Sequence, residues 1–159
     1  AVQLLSQNSC SLDDKLTNKL EAYRKLKIGN IAPDITFSDG KKLSSITATK
    51  LLIFGASWCP KCKEETLKLN TYYHAWKEKG IEVVYISIDT EKAHFDNAYK
   101  NTPWKTDCTF KGWNTQAVKD YHVFATPTYF VLDSDLKIVL RPDSIEQVHS
   151  WVNSKFKAN

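Results

Sequence analysis

The sequence lacks several features that would assign the protein to a membrane, repeat or nucleic-acid-binding class. No apolar stretch approaches the length that a membrane-spanning helix needs, and neither an internal repeat nor a low-complexity segment is present. The 22 basic and 18 acidic residues are scattered and leave a net charge of only +4, so nucleic acid is not indicated as a partner. At 159 residues, the chain is expected to form one domain with its own core.

Cysteine is also scarce, and its placement is the main functional signal. The four cysteines allow three pairings, of which Cys59 with Cys62 is favoured by proximity. Cys108 is interpreted as a part-buried small hydrophobe, and a bridge between Cys10 and Cys108 is left open. Half of a zinc site is the alternative for Cys59 and Cys62, but no second Cys-x-x-Cys and no His-x3-His follows. The sequence therefore predicts no metal site and no cofactor.

The Cys-x-x-Cys pair stands between a strand pattern and a helix pattern. Residues 51–54 are continuously apolar, as in a strand buried on both faces, and the small residues 55–57 make a turn. Good helix formers follow Cys59, with an apolar stripe at helical spacing formed by Leu69, Tyr72, Tyr73 and Trp76. The two sulfurs are therefore predicted to lie in the first turn of a helix.

A cysteine at the start of a helix is chemically activated. Unpaired backbone N–H groups and the positive end of the helix dipole stabilise a thiolate, so Cys59 is predicted to ionise easily and to attack. Lys61 adds a cation, while Pro60 costs no hydrogen bond at this position and stiffens the loop. Cys62 lies one turn deeper, so we expect it to have the higher pKa, to need a base and to resolve the mixed disulfide.

Two stretches carry a family resemblance: Trp58-Cys59-Pro60-Lys61-Cys62 after a buried strand, and Ala125-Thr126-Pro127-Thr128-Tyr129-Phe130 downstream. Together they resemble the thioredoxin superfamily. The segment 28–34 and the long stretch before Pro127 resemble the TlpA/ResA-like thiol-disulfide oxidoreductases. The resemblance covers about residues 28 to 157. It implies a thioredoxin-like α/β fold, with a central mixed sheet flanked by helices, an N-terminal hairpin and an insertion before the cis-proline strand.

The resemblance also assigns residues to a substrate site. Pro127 matches the cis-proline of the superfamily, which faces the redox pair, and Thr126 is expected to offer its backbone to an extended substrate. The expected substrate-binding residues are Trp58, Pro60, Lys61, Thr126 and Pro127.

Glu65 is the third expected catalytic residue, after Cys59 and Cys62. Thioredoxins carry a buried aspartate six residues before the first cysteine, where this chain has Ile53. Glu65 lies one turn after Cys62, and a glutamate at this spacing is shared by TlpA/ResA-like proteins. We expect partly apolar surroundings to raise its pKa, so that it exchanges a proton with Cys62. The alternative is an exposed charge on the helix surface.

The resemblance implies thiol-disulfide exchange with protein substrates, as a reductase supplied by a membrane or soluble thiol electron donor. It also implies an extracytoplasmic location, periplasmic or membrane-anchored. A peroxiredoxin-like peroxidase is the rival enzyme, because the 32–34 segment Ala-Pro-Asp is shared with that family. The Pro-x3-Thr-x2-Cys motif of the peroxidatic cysteine is absent, because its proline position holds Leu52 and its threonine position holds Ala56. A non-enzymatic binding module with a structural disulfide is the third hypothesis.

The expected organisation is a lead and amphipathic helix over residues 1–27, followed by the thioredoxin-like domain over 28–159. The stripe of the N-terminal helix consists of Leu12, Leu16, Leu20, Tyr23 and Leu26. We expect it to pack on its own domain; an upstream domain or membrane tether is the alternative partner. The other predicted elements are a turn at Asp39-Gly40, strands at 81–89, 128–132 and 136–140, and helices at 91–100, 115–121 and from Pro142 onward.

Overall fold

A five-stranded mixed sheet forms the centre of the computed structural model, which describes residues 15–17 and 19–156. Strands β1 to β5 span Thr49–Gly55, Ile81–Ser87, Lys105–Cys108, Thr128–Leu132 and Ile138–Leu140. Their order in the sheet is β3-β2-β1-β4-β5. β2 is parallel to both β1 and β3, whereas β4 is antiparallel to β1 and β5. The mixed sheet flanked by helices that the sequence predicted is confirmed.

Five helices accompany the sheet within the described residues. They are α1 at 15–17 and 19–25, α2 at Pro60–Glu78, α3 at Lys92–Tyr99, α4 at Gln116–Asp120 and α5 at Ile145–Lys155. α2, α3 and α5 contribute to the apolar layer on one face of the sheet, and α4 contributes to the layer on the other. None of these helices combines the length and the apolar character needed to cross a membrane.

The central strand β1 is buried on both faces because helices cover both sides of the sheet. Leu51 and Ile53 face the layer of α2 and α5, while Leu52 and Phe54 face the layer of α4. Such two-sided burial requires the continuous apolar run that the sequence shows, rather than an alternating pattern. β1 ends at Gly55, so the chain leaves the middle of the sheet directly at the Cys-x-x-Cys segment.

The N-terminal elements differ in part from expectation. The predicted turn at Asp39-Gly40 is present, with Gly40 at a φ of 84°, but its arms pair through a single bridge between Thr36 and Lys42. Among the members of the helical stripe that the structure describes, Leu26 alone is buried against its own domain. That prediction was wrong for three members of the stripe, which are largely exposed: Leu16, Leu20 and Tyr23. Leu12 lies outside the described residues.

The insertion between β2 and β4 contains one element that the sequence pattern did not predict. The two expected helices are present as α3 and α4, but between them lies strand β3, which pairs with β2 at the edge of the sheet. β3 has only four residues, and two of them are polar and half-buried, so it shows no apolar signal. Tyr99 and Trp104 of the insertion are buried, whereas Trp113 is 46% exposed.

Candidate active site

Cys59 occupies the N-cap position of α2, immediately before the helix begins at Pro60. Its sulfur accepts a hydrogen bond from the backbone N–H of Cys62, at 3.2 Å, and its thiol donates to the carbonyl oxygen of Thr126, at 3.7 Å. The first of these contacts satisfies one of the free N–H groups at a helix start. A negative charge on this sulfur would be stabilised by the same group.

The two thiols of the pair differ sharply in acidity. Burial works to raise the pKa of Cys59, but hydrogen bonds with the Cys62 thiol, Thr126 and the backbone N–H groups of Cys62 and Lys61 bring it below its usual value. Burial and the contact with Cys59 raise the pKa of Cys62 to about 12. The order agrees with the one expected from the sequence: Cys59 ionises first, and Cys62 stays protonated at neutral pH.

The turn before Cys59 is held by a buried carboxylate, that of Asp89, at the end of the predicted strand 81–89. Asp89 follows β2 and accepts hydrogen bonds from the backbone N–H of Ser57, at 3.0 Å, and from the hydroxyls of Ser57 and Ser87. These contacts tie the end of β2 to the turn that carries Trp58. The signal in the sequence was Ser87 at the buried end of β2, with Ser57 in the turn after the neighbouring β1, since buried hydroxyls need a hydrogen-bond partner.

The segment just before β4 forms the wall of the site that faces the cysteine pair. The Thr126–Pro127 peptide bond is cis, and Pro127 lines the same small cavity as Cys62. Trp58 and Pro60 are exposed beside the buried Cys59. The structure therefore brings Cys59, Cys62, Thr126 and Pro127 together, with Trp58 and Pro60 at the surface.

Lys61 contacts the site differently from what we expected. Its ammonium lies 3.5 Å from Glu64 Oε1 and 3.5 Å from Glu65 Oε1, so the charge is directed along α2 toward the carboxylates. The backbone N–H of Lys61, rather than its ammonium, donates to the Cys59 sulfur. The ammonium pairs with the carboxylates of Glu64 and Glu65.

Glu65 is buried, so the alternative of an exposed surface charge was wrong. Its Oε2 accepts the backbone N–H of Ile145 at 2.7 Å, at the start of α5, and lies 3.4 Å from the hydroxyl of Tyr129. Its Oε1 lies 3.4 Å from Lys68 and 3.5 Å from Lys61. The carboxylate therefore joins the first turns of α2 to the N-terminus of α5.

The expected raised pKa of Glu65 was wrong. Burial does work in that direction, but the N–H of Ile145 and the two lysines, Lys68 and Lys61, together outweigh it and lower the pKa of this carboxyl below its ordinary value. The apolar surroundings were anticipated correctly, whereas the hydrogen bond from a residue 80 positions away was not. Glu65 is therefore ionised at neutral pH and only accepts hydrogen bonds.

The resolving thiol and this carboxylate line the same small cavity. The cavity has a volume of about 10 Å³, close to that of a single water molecule. Its polar lining includes Cys62, Glu65, Tyr85 and Tyr129, and Pro127 closes one side. The site thus contains the ionisable sulfur of Cys59, the protonated sulfur of Cys62 and the ionised carboxylate of Glu65.

Replacing Glu65 by glutamine is expected to lower stability in a pH-dependent way. Because the folded-state pKa lies below the ordinary value of 4.5, the carboxylate stabilises the fold fully above that pH and loses this effect as the pH falls through the folded-state pKa. Glu65→Gln should lower the free energy of unfolding by about 1–3 kcal/mol at pH 7. The difference from wild type should shrink at pH 3.5, as measured by urea unfolding at both pH values.

Glu64 provides the matched control for this measurement. It is the neighbouring glutamate on α2 and also contacts Lys61 and Lys68, but its side chain is 58% exposed. Glu64→Gln should therefore change the free energy of unfolding by less than about 0.5 kcal/mol. Equal effects of the two substitutions at pH 7 would contradict the assigned role of the buried carboxylate.

Cys108 is a buried free thiol away from the redox pair. Its sulfur contacts the carbonyl oxygen of Asp89 at 3.3 Å and accepts the N–H of Phe110 at 3.4 Å, and burial raises its pKa. These properties fit the predicted small hydrophobe, and Cys10 lies outside the described residues. Within residues 15–17 and 19–156, no group of three or more His, Cys, Asp or Glu side chains is placed to hold a metal ion.

The amino-acid sequence is similar to those of several known proteins. Residues 48–138 match a family model described as thioredoxin-like. The chain is 32% identical over 125 residues to the thiol-disulfide oxidoreductase ResA of Bacillus thuringiensis, which covers 72% of this chain and 69% of that protein. It is also 28% identical over 122 residues to nucleoredoxin of Bos taurus, covering 73% of this chain and 28% of the relative.

Solved structures share the architecture. The thioredoxin domain of a thiol-disulfide oxidoreductase from Bacteroides vulgatus superposes with a TM-score of 0.73 at 23% identity, covering 82% of this chain and 98% of that one. At this level of identity the similarity supports the fold alone. The overall architecture of the chain thus agrees with that of a solved structure.

Proposed function

The chain belongs to the thioredoxin-like family and is a thiol-disulfide oxidoreductase, and from this premise we propose that it exchanges disulfides with protein substrates through Cys59 and Cys62. The observation that carries the assignment of roles is the contrast between the two sulfurs. One caps a helix and ionises below its usual pKa, whereas the other is buried beneath it with a pKa of about 12.

The proposed reaction proceeds in two exchange steps. The Cys59 thiolate attacks one sulfur of a substrate disulfide, forming a mixed disulfide and releasing the other substrate sulfur as a thiolate. Cys62 then loses its proton and attacks Cys59, so that the bond from Cys59 to the substrate breaks and its electron pair leaves with the substrate sulfur. The substrate ends as a dithiol and the enzyme as the Cys59–Cys62 disulfide, which a thiol electron donor, membrane-bound or soluble, must reduce.

Exposed aromatic rings beside the cysteines support a protein rather than a small molecule as substrate. Trp58 is 55% exposed and Phe124, two residues before Thr126, is 84% exposed. Large exposed apolar side chains of this kind are typical of protein contact sites. In the proposed complex, Trp58, Pro60, Lys61, Thr126 and Pro127 contact an extended segment of the substrate around its disulfide.

We propose that electrons flow from the enzyme to the substrate. A stabilised thiolate favours the reduced enzyme and makes a pair more oxidising, but only one of the two sulfurs here has a lowered pKa. Cys62 is a desolvated thiol, and its burial gives the reduced state no comparable stabilisation. The resemblance to the TlpA/ResA-like proteins implies the same direction.

A redox titration tests the proposed direction. With glutathione or dithiothreitol buffers, the Cys59–Cys62 pair is expected to have a midpoint potential more negative than about −200 mV, in the range of glutaredoxins and thioredoxin. The measurement should use a Cys108→Ser background, so that one pair alone titrates. A midpoint near −120 mV, typical of strong oxidants, would instead assign the protein to disulfide formation.

The site of action is proposed from the same relationship. We place the protein outside the cytoplasm, in the periplasm or attached to a membrane facing it, because the resemblance to TlpA/ResA-like proteins supports that location. Fractionation of cells that express the full-length protein tests this, and recovery in the cytoplasmic fraction would contradict it.

A further inference from the structure

The hydroxyl of Tyr85 and the resolving sulfur of Cys62 both approach position 55, which has no side chain. A Cβ atom built on Gly55 would collide with the Tyr85 hydroxyl and would lie 3.3 Å from the sulfur of Cys62. Both groups therefore face the same point at the end of β1. Tyr85 belongs to β2, which is the parallel neighbour of β1, and it is buried.

A second tyrosine holds this hydroxyl in place. The hydroxyl of Tyr99, on α3, donates to the hydroxyl oxygen of Tyr85 at 3.4 Å, and the two rings lie 5.0 Å apart. With Tyr99 as donor, the proton of Tyr85 is free to point toward Cys62. Helix α3 of the insertion, through Tyr99, thus positions the Tyr85 hydroxyl near Cys62.

Hydrogen bonds with the backbone of Ala56 and the side chain of Thr126 also favour the Cys62 thiolate, and, Tyr85 apart, the remaining described groups around the sulfur add no further donor. On α2, Cys59 is bonded to the substrate and neutral at this step, while Glu65 is an ionised carboxylate that opposes a negative charge nearby. On β4, Tyr129 lies with its hydroxyl 3.4 Å from Glu65 Oε2 and donates to it. The lysines of this region, Lys61 and Lys68, contact Glu65.

We propose that Tyr85 is a further hydrogen-bond donor that stabilises the Cys62 thiolate during resolution of the mixed disulfide, with Tyr99 as its positioning residue. This rests on the proposed exchange reaction. As Cys62 loses its proton and attacks Cys59, the substrate sulfur leaves with the electron pair and finally carries the proton. Tyr85 keeps its own proton throughout.

The environment of Tyr85 is consistent with a donor that never ionises. Burial, together with the neighbouring Tyr99 and Cys62, raises the pKa of Tyr85 well above its usual value. A donor that retains its proton at every working pH gives the same stabilisation to each thiolate that forms. Hydrogen bonds to charged groups are stronger than those between neutral groups, so the effect should concentrate in the step that creates the charge.

A chromogenic disulfide separates the two steps of the reaction. One equivalent of 5,5′-dithiobis(2-nitrobenzoate) releases thionitrobenzoate first when Cys59 attacks and again when Cys62 resolves the adduct. In Tyr85→Phe, we expect the second phase to slow by about 10- to 100-fold and its pH profile to move upward by about one to two units. The first phase should change by less than about twofold, since Cys59 has other partners.

Two further variants make the result specific. Tyr99→Phe leaves the Tyr85 hydroxyl in place but removes its support, so it should slow the second phase by less than Tyr85→Phe does. Tyr121→Phe deletes an equally buried hydroxyl that donates to the Pro33 carbonyl on the other face of the sheet, and both phases should stay at the wild-type rate.

Each outcome of this experiment bears on one proposal. A second phase in Tyr85→Phe within twofold of wild type from pH 6 to 9 would overturn the role of Tyr85, as would equal slowing of both phases. If Tyr85→Phe does not fold, Tyr99→Phe decides the question by the same comparison. Absence of the first phase in the wild-type protein would instead contradict the exchange reaction itself.

Discussion

Cys59→Ser is expected to abolish disulfide reduction, with a loss of at least about 1,000-fold in turnover. A serine hydroxyl is not a nucleophile toward disulfides at neutral pH. Cys62 cannot replace it, because Cys62 is buried and its burial, the largest cause of its raised pKa, keeps it protonated at pH 7. The measurement is the reduction of insulin disulfides with dithiothreitol as the electron donor.

The control for this variant is Cys108→Ser. Cys108 is also buried and has a raised pKa, but its contacts are Asp89 and Phe110 rather than the redox pair. Its replacement should leave turnover within about twofold of wild type. Insulin reduction by Cys59→Ser above a few per cent of the wild-type rate would refute the assignment. Rapid consumption of hydrogen peroxide by the wild-type protein would revive the peroxidase hypothesis.

The parts of the site that could be predicted from sequence are those fixed by local patterns. A continuously apolar run marks a strand buried on both faces, and a change of period at Cys59 marks the start of a helix. These two signals were sufficient to place both sulfurs at the start of α2, Cys59 at its N-cap and Cys62 in its first turn, and to order their acidities. The strand after Pro127 was likewise predicted with its observed bounds, because the same apolar signal precedes a turn at residues 134–135.

Contacts between distant segments could not be predicted in this way. The pKa of Glu65 depends on the N–H of Ile145, which reaches it only because α5 packs beside α2. Tyr85 reads as an ordinary core residue of a buried strand. The approach of its hydroxyl to Cys62 depends on Gly55 in the neighbouring strand and on α3 behind it. Strand β3 was missed because an edge strand of four residues has little apolar pattern.

Cys62→Ser should separate the two halves of the reaction by blocking the second. The variant is expected to accumulate a covalent adduct between Cys59 and a protein substrate, visible by mass spectrometry and on non-reducing gels. Turnover should fall by at least about 100-fold, since no other described thiol faces Cys59 and resolution must wait for a thiol from solution. Formation of the adduct should remain within about tenfold of the wild-type rate.

The attack is expected to survive because most of what stabilises the Cys59 thiolate is retained. The backbone N–H groups of Cys62 and Lys61 are unchanged, and the serine hydroxyl can donate in place of the Cys62 thiol. Cys62→Ala removes that donor, so its Cys59 should have a higher pKa than in Cys62→Ser and should form the adduct more slowly at pH 6. Near-normal turnover of Cys62→Ser in a Cys108→Ser background would mean that Cys59 works alone, and the resolving role of Cys62 would then be wrong.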